Sequence, residues 1–323
     1  MRDRIRRTLG GVGRGLVTIG TLILLFVAYQ LWGTGYFTAQ AQNDLKQEFA
    51  QLQKNLAAST TTTATTTTSR GSPPTTSPPK SDPTVKASKI PQFADGDAIG
   101  VIQMPWGPYW LIEGTGREEL KKGPAHYPAT VFPGQLGNAA IAGHRTTYLH
   151  PFLDLDTMHV GTEFKVEMAW GTYTYRVTQE PYAVKPSEVG VVATLDPKKA
   201  TLTLTACHPK YSALQRLIVQ SELVVSKSPK PERYVKPKPV VASPKDLGEE
   251  ENISLRSGLD GEGGGAIGPP ILWGSFLFAV GMLWWWLFRH WRHPLTWLAG
   301  LIPFVPVLIG FYVYLEKALP SGI

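Results

Sequence analysis

The sequence has almost no means of covalent cross-linking, because its 323 residues include a single cysteine, Cys207. One cysteine excludes an intramolecular disulfide. In an exported domain a lone cysteine is a candidate reactive thiol, whereas in many domains it is a small buried apolar side chain. The residue counts do not decide between these two interpretations.

The excess of basic residues does not indicate nucleic acid, although the formal net charge is +7. Five arginines precede the first long apolar run, and Arg289 and Arg292 lie between two later runs. Cations beside apolar runs mark the cytoplasmic ends of membrane spans. The charge therefore predicts membrane lipid, and no nucleic acid, as a partner.

The first apolar run, at residues 16–37, is about long enough to cross a bilayer. It predicts a transmembrane signal-anchor that follows a basic cytoplasmic tail at residues 1–15. A cleaved signal peptide is the alternative, because Ala39-Gln40-Ala41 resembles a cleavage site. The run is longer than the apolar core of a typical signal peptide, which favours the uncleaved anchor.

Two further apolar runs, at residues 270–288 and 295–315, lie near the C-terminus. Each predicts a transmembrane helix, with a re-entrant or non-inserted pair as the alternative. Residues 289–294 between them predict a basic cytoplasmic turn, and residues 316–323 an extracellular tail. This topology predicts a multi-pass protein of the cell membrane, with a cytoplasmic N-terminus and the middle of the chain outside the cell.

Three segments connect the predicted spans to the middle of the chain. Residues 38–58 have apolar residues at helical spacing and predict a juxtamembrane helix against the domain or the lipid, with pairing of two chains as the alternative. Residues 59–89, rich in Thr and Pro, predict a disordered stalk. At about 3 Å per residue this stalk could reach roughly 90 Å. Residues 227–269, rich in Pro and Lys and then in Gly, predict a solvated linker.

Residues 90–226 consist of short apolar stretches separated by glycine, proline and asparagine. Strands of this length between regular turn signals are typical of an all-β barrel or sandwich. Few helical patterns interrupt them. The fold class of this region is therefore predicted to be all-β.

The strongest local pattern lies in residues 201–209, where threonine and leucine alternate up to a cysteine and a histidine. Side chains of a strand point to opposite faces in turn, so Thr203, Thr205 and Cys207 share one face. The leucines on the other face are expected to enter the core. Cys207 would then lie on a hydroxyl-lined surface at the end of the strand, which favours a reactive thiol over a structural one.

Two residues are candidates to act with Cys207. Arg216 would lie near the thiol if the strands on either side of the intervening loop pair, and a guanidinium there can lower a thiol pKa and hold an oxyanion. His144 ends a short apolar strand and could serve as a general acid or base. Taken singly, each is more often a surface arginine or a structural histidine.

His208 competes with His144 as the candidate catalytic histidine, but strand alternation directs it away from the face of Cys207. The three residues His144, Cys207 and His208 could instead bind a metal, although the sequence shows no evident fourth ligand. No metal or other cofactor is therefore expected.

Together these elements resemble the sortase family, and within it the class E sortases of high-GC Gram-positive bacteria such as actinobacteria. The resemblance covers about residues 99–224. Its matching segments are Tyr-Pro-Ala-Thr at 127–130, Phe-Pro-Gly at 132–134, residues 137–145, and residues 203–209 followed by Arg216. It implies a closed eight-stranded β-barrel at residues 90–226, flanked by the transmembrane helices and disordered linkers. It also implies that His144, Cys207 and Arg216 are the catalytic residues and that no cofactor is needed.

The resemblance also implies a reaction. Such enzymes are cysteine transpeptidases that cleave a Leu-Ala-X-Thr-Gly-like or Leu-Pro-X-Thr-Gly-like C-terminal sorting signal between Thr and Gly, through a thioester that would form on Cys207. They join the secreted protein to an amine of a peptidoglycan precursor or wall peptide. Tyr127 and Thr205 are expected to contact the sorting signal.

The sequence departs from the family pattern at Ala206, where many sortases have threonine, and in its two C-terminal spans. It lacks an acidic-aromatic lid motif, which favours housekeeping anchoring over pilus assembly. A wall thiol peptidase or L,D-transpeptidase, and a non-catalytic envelope adhesion module, are the alternative functions. The typical L,D-transpeptidase order is His-Gly-Cys, whereas here Cys207 precedes His208.

Overall fold

The computed structural model describes residues 2–63, 90–231, 267–289 and 299–318. The chain divides into two compact units, one of Met1–Thr34 with Gly261–Gly322 and the other of Gly35–Asp260. The described α-helices are α1 (Arg2–Ala28), α2 (Thr34–Thr63), α3 (Arg117–Leu120), α4 (Gly268–Phe288) and α5 (Leu301–Ala318). The strands are β1 (Ala98–Met104), β2 (Gly107–Glu113), β3 (Ala125–His126), β4 (Gly137–Ala142), β5 (Glu163–Met168), β6 (Gly171–Val177), β7 (Tyr182–Val184), β8 (Ala200–His208) and β9 (Gln215–Leu223).

The first unit contains helices α4 and α5, which are both long and apolar enough to cross a membrane. The predicted span at 270–288 lies within α4. The one predicted at 295–315 overlaps α5, with residues 295–298 outside the described part of the chain. The apolar part of α1, Gly15–Ala28, is by itself shorter than a bilayer requires, but the predicted span at 16–37 continues through a π-helical turn at Tyr29–Gly33 into the first residues of α2.

Aromatic side chains pack the helices of the first unit together. Tyr312 of α5 is buried with Leu277 of α4, and Phe26 of α1 packs against them. The Tyr312 hydroxyl donates a 2.7 Å hydrogen bond to the carbonyl of Leu22. On α4, Trp273 packs so closely over Gly310 that a Cβ there would lie 2.6 Å from its ring. These contacts associate α1 with the α4–α5 pair.

The second unit is built around a closed sheet with the strand order β6-β5-β1-β2-β3-β4-β8-β9. Pairing of β6 with β9 closes these eight strands into a barrel, and the short β7 adds to β9 outside the closure. Most neighbouring strands are antiparallel, but β2 pairs with β3 and β4 with β8 in parallel. The eight-stranded barrel of the sequence prediction is present. The chain as a whole is mixed α/β rather than all-β, because its long helices account for much of the described structure.

Two hydrophobic clusters stabilise the barrel, and strand alternation separates them. The inner cluster fills the barrel and includes Leu202, Leu204 and Ala206 of β8. The outer cluster lies on the outside of β4 and β8 and includes Cys207 and Tyr127. Each fully buried leucine of the inner cluster contributes roughly 1.5–3 kcal/mol. The alternation thus fixes which face of β8 carries the cysteine.

Helix α2 packs on the outside of the barrel. Its apolar residues Leu45 and Phe49 belong to the outer cluster. The helix predicted at 38–58 lies within α2, which begins earlier and extends into the first residues of the predicted Thr/Pro stalk at 59–89. The remainder of that stalk lies outside the described residues, as does most of the predicted linker at 227–269.

The predicted end segments of the chain fall largely outside the described structure. The basic turn predicted at 289–294 is described at Arg289 alone, which follows α4. The first residues of the tail predicted at 316–323 continue α5, and residues 319–323 are not described. The tail predicted at 1–15 lies in α1, apart from residue 1.

Candidate active site

The parallel pairing of β4 and β8 brings two candidate residues to the same rim of the barrel. Ala142 at the end of β4 pairs with Thr205 of β8, and the amide of Gly143 donates a 3.0 Å hydrogen bond to the Thr205 carbonyl. His144 and Cys207 each lie two residues beyond this pair. Both therefore lie at one rim of the barrel, although 63 residues separate them in the chain.

Close packing explains why glycine precedes His144. A Cβ at Gly143 would lie 2.6 Å from the ring of Phe152, so a larger residue would push apart the turn that carries the histidine. Beyond His144 the backbone takes left-handed conformations at Tyr148, Leu149 and His150, with φ values of 52°, 60° and 40°. Such conformations cost about 1–3 kcal/mol each for residues other than glycine. The loop is thus held in a strained shape beside the histidine.

Cys207 and Arg216 face each other directly across the β8–β9 pair. Nη1 of Arg216 lies 4.0 Å from Sγ of Cys207 and also donates to the carbonyl oxygens of Ala213 and Gln215, at 3.0 and 3.1 Å. Nε of Arg216 is buried and has no hydrogen-bond partner in the described part of the chain. A buried donor without a partner is costly, so this atom is available to a carbonyl oxygen that enters the site.

The electrostatics of the site leave the thiol and the imidazole uncharged near neutral pH. Burial raises the pKa of Cys207, and the charges of Arg216 and Arg145 offset this only in part. Burial lowers the pKa of His144 to about 3, and the nearby charge of Lys121 acts in the same direction. Deprotonation of the cysteine and protonation of the histidine are therefore both disfavoured in this closed state.

His144 lies under its own loop. Its Nδ1 is 3.4 Å from the Thr147 hydroxyl, and its ring lies 4.6 Å from the ring of Tyr148, measured between centroids. His144 is 7% exposed and Cys207 is 8% exposed. A substrate reaching either residue has to displace part of this cover.

Arg145 links the histidine loop to the cysteine strand, and the sequence interpretation gave it no role. It is 2% exposed, and its Nη1 donates to the Cys207 carbonyl at 3.2 Å and to Nδ1 of His208 at 3.1 Å. Its Nη2 pairs with Asp156 at 2.9 Å. Because Arg145 follows His144 directly, it joins the backbone of one candidate residue to that of the other. The run Gly-His-Arg was visible in the sequence, but the contacts of the arginine were not.

His208, the competing histidine, is oriented by Arg145 rather than by the thiol. The bond from Arg145 makes Nδ1 of His208 the acceptor, as expected for a side chain on the opposite face from Cys207. Among the residues that the structure describes, no three His, Cys, Asp or Glu side chains form a group that could hold a metal ion.

Tyr127 and Thr205, the predicted contacts of the sorting signal, lie together behind the cysteine. The Tyr127 hydroxyl and Oγ1 of Thr205 are 3.0 Å apart, and both side chains are buried. Burial also raises the pKa of Tyr127. Neither residue presents a free surface in this state, so their predicted role requires the neighbouring loops to open.

A buried polar network supports the segment that carries Tyr127. Nδ1 of His126 lies 2.7 Å from Oε2 of Glu113, and its Nε2 lies 2.9 Å from the Val131 carbonyl. The Thr130 hydroxyl donates to the Tyr127 carbonyl and accepts from the amide of Ala140. The network thus ties residues 126–131 to β2 and β4.

Comparison with known proteins places this barrel in a family. A family model described as a sortase domain matches residues 101–224. Sortase D of Bacillus subtilis is 29% identical over 126 residues, which are 38% of this chain and 60% of that protein. Sortase SrtE1 of Streptomyces coelicolor is 26% identical over 230 residues, which are 66% of this chain and 56% of that protein. The chain thus spans somewhat more than half the length of these two relatives.

One solved relative is itself covered more completely by this chain. The structure of sortase E from Streptomyces avermitilis is 35% identical, with a TM-score of 0.37, over 41% of this chain and 90% of that one. The family match runs through β8 and β9, where Cys207 and Arg216 face each other. From the matched domain and this level of identity, we conclude that the chain belongs to the sortase family.

Proposed function

We propose that the protein is a class E-like sortase, a cysteine transpeptidase that cleaves a C-terminal sorting signal and transfers the secreted protein to a cell-wall amine. The observation that carries the proposal is the direct pairing of Cys207 with Arg216 at the rim that also carries His144. The similarity to sortase E of Streptomyces avermitilis and to sortase SrtE1 of Streptomyces coelicolor supports the class.

In the first half of the proposed reaction, the sulfur of Cys207 attacks the threonine carbonyl of the Thr–Gly bond. Because the thiol and the imidazole both begin neutral, the thiol proton passes to His144 as the carbon–sulfur bond forms. Arg216 holds the oxyanion, with its unpartnered Nε as an available donor. His144 then protonates the departing glycine amine, and a thioester remains on Cys207.

In the second half, an incoming amine attacks the thioester. His144 accepts a proton from that amine and returns it to the departing sulfur, which restores the neutral pair. A new amide bond replaces the one that was cleaved, so acyl-transfer potential is conserved and no external energy source is required.

The proposed substrates are secreted proteins with Leu-Ala-X-Thr-Gly-like or Leu-Pro-X-Thr-Gly-like sorting signals, and the proposed acceptor is an amine of a peptidoglycan precursor or wall peptide. Tyr127 and Thr205 would contact the signal once the loops over the site move. We further propose a cell-membrane location in a Gram-positive, actinobacterial-like cell, with the barrel outside, an N-terminal anchor at residues 16–37, and α4 and α5 as further spans. The length and composition of these two helices support this location.

The test is a product assay with the full-length protein in detergent, a Leu-Ala-X-Thr-Gly peptide and an added amine. Mass analysis should show the peptide cleaved after threonine and joined to the amine. Free acid alone, even with abundant amine, would identify a thiol peptidase instead. No reaction would favour a non-catalytic adhesion module.

The control is Cys207→Ala, for which we expect no detectable product and no trapped thioester. Retention of full activity by this variant would contradict the proposal.

A further inference from the structure

Helix α2 docks on the barrel through a specific polar contact. The side-chain amide of Gln42 accepts a 2.8 Å hydrogen bond from the amide of Trp110 and donates to the carbonyls of Trp110 and Lys122, at 3.0 and 2.8 Å. Leu45 and Phe49, on the same face, are each 4% exposed. An amide whose oxygen and nitrogen are both bonded to barrel backbone fixes the position of the helix along its axis and its rotation.

Two further hydrogen bonds extend this docking along the helix. Oε1 of Glu48 accepts from the amide of Ala98 at 3.0 Å, and the side-chain amide of Gln53 donates to Glu167 at 3.0 Å. From Gln42 to Gln53 the contacts cover about three turns. The helix therefore belongs to the barrel along its length, and not only at one end.

The first turns of α2 lie beside the histidine side of the candidate active site. A Cβ on Gly35 would be 3.6 Å from Cδ2 of Leu149, in the strained loop after His144. The Thr38 hydroxyl donates a 2.8 Å hydrogen bond to the carbonyl of Lys121, whose charge acts on His144. The start of the helix and the catalytic rim are thus neighbours.

The same turn exposes two aromatic residues. Tyr36 and Phe37 are 72% and 54% exposed, and their rings lie 5.8 Å apart. They end the apolar run that predicts the N-terminal span. Exposed aromatic residues at the end of a span are typical of the bilayer–water interface.

We propose that α2 holds the His144 side of the active site at the membrane surface, so that the enzyme acts on a sorting signal and an amine that are themselves held in the membrane. This inference rests on the proposed function. The contacts of α2 precede residues 64–89 in the chain, so the Thr/Pro segment does not set the distance between the barrel and the bilayer. The stalk that the sequence predicts is then a connection between two elements of one unit.

The test compares two insertions in the full-length protein reconstituted in lipid vesicles. One variant carries a Gly/Ser insertion of about 20 residues after Phe37, which lets the docked unit move roughly 25 Å from the bilayer. The matched control carries the same insertion between Thr67 and Thr68. Each protein is assayed on a soluble sorting peptide and on the same peptide with a lipid anchor in the vesicle.

The insertion after Phe37 should lower the rate on the lipid-anchored peptide about tenfold, because the effective concentration of membrane-held substrate falls, and should leave the soluble peptide unaffected. The control insertion should change neither rate by more than about twofold. Equal effects of the two insertions, or a larger effect in the Thr/Pro segment, would overturn the inference. Failure of the unmodified protein to act on the soluble peptide would instead overturn the proposed function.

A second comparison does not depend on inserted residues. Gln42→Ala removes the central docking contact, whereas Gln47→Ala changes an exposed glutamine of the same helix. Gln42→Ala should lower the ratio of lipid-anchored to soluble turnover, and Gln47→Ala should leave it unchanged. An unchanged ratio in Gln42→Ala, with the helix shown by proteolysis to be released, would also overturn the inference.

Discussion

The two faces of strand β8 are both buried, yet they differ in chemistry. The inner face presents Leu204 and Ala206 to an apolar barrel interior. The outer face presents Thr203 and Thr205, whose hydroxyls bond to Asn138 and Tyr127. Cys207 continues the outer face. Burial alone therefore does not mark the proposed nucleophile, which lies on the face where the fold supplies polar partners.

The largest expected effect comes from Arg216→Lys, which tests whether the proposed reaction at Cys207, on the outer face, requires a guanidinium. An ammonium cannot replace the planar donor set that faces Sγ. We expect kcat/KM for transpeptidation to fall by about 10²–10³, with the protein still folded. A rate near that of the unmodified enzyme would show that the partnership of Cys207 and Arg216 is not catalytic.

The next expected effect contrasts the two faces directly. Leu204→Ala should destabilise the barrel by about 2–5 kcal/mol, because it leaves a cavity. Thr203→Val should destabilise it by about 1–3 kcal/mol, because the buried Asn138 oxygen loses one of its two hydroxyl donors. Because Cys207 is the single cysteine, its trapping by a thiol reagent in rising urea reports the unfolding of either variant. Unfolding of both variants at the same urea concentration would contradict the expected difference in stability between the two faces.

A third prediction concerns the pH dependence of the thiol. Since burial raises the pKa of Cys207 above its usual range, the thiolate fraction grows as pH rises and is small at neutral pH. The rate of alkylation by iodoacetamide should increase about tenfold per pH unit up to at least about pH 8.5. Mass-detected alkylation measures this rate, and a plateau near pH 6–7 would indicate a preformed thiolate instead.

The smallest effect is expected from Arg145→Lys, which keeps a charge near Asp156 but loses the fork that also reaches the Cys207 carbonyl. We expect kcat to fall about tenfold through misplacement of the reacting groups, with KM nearly unchanged. Steady-state kinetics on a soluble peptide distinguish this from weaker binding. A rise in KM at constant kcat would instead assign Arg145 to substrate contact.

Features that depend on strand alternation and a single hairpin could be predicted from the sequence. The period-two pattern at residues 201–207 placed the leucines inside and the cysteine outside, as the clusters show. Pairing of the strands on either side of one loop was also expected to bring Arg216 near Cys207, and in the structure the two residues pair directly. Both results follow from local geometry, because neighbouring strands joined by a short loop usually pair.

Other features depend on contacts between distant segments and could not be derived. Arg145 reaches a carbonyl 62 residues away, and Gln42 reaches a strand 68 residues away. An arginine and a glutamine of this kind look solvent-exposed in a linear pattern, since nothing nearby indicates their partners. The sequence therefore did not decide whether α2 packs against the domain or against lipid. It also gave no sign that Arg145 links the strand of His144 to the strand of Cys207.

The parallel pairing of β4 with β8 has a consequence for the time course of folding. Parallel neighbours cannot be joined by a tight turn, and here β5, β6 and β7 lie between them in the chain. Contacts between such distant parts of a chain form slowly. During synthesis, His144 is therefore present in the chain well before Cys207 can be positioned beside it. We expect the rim that joins His144 to Cys207 to form late in folding, when β8 takes its place beside β4.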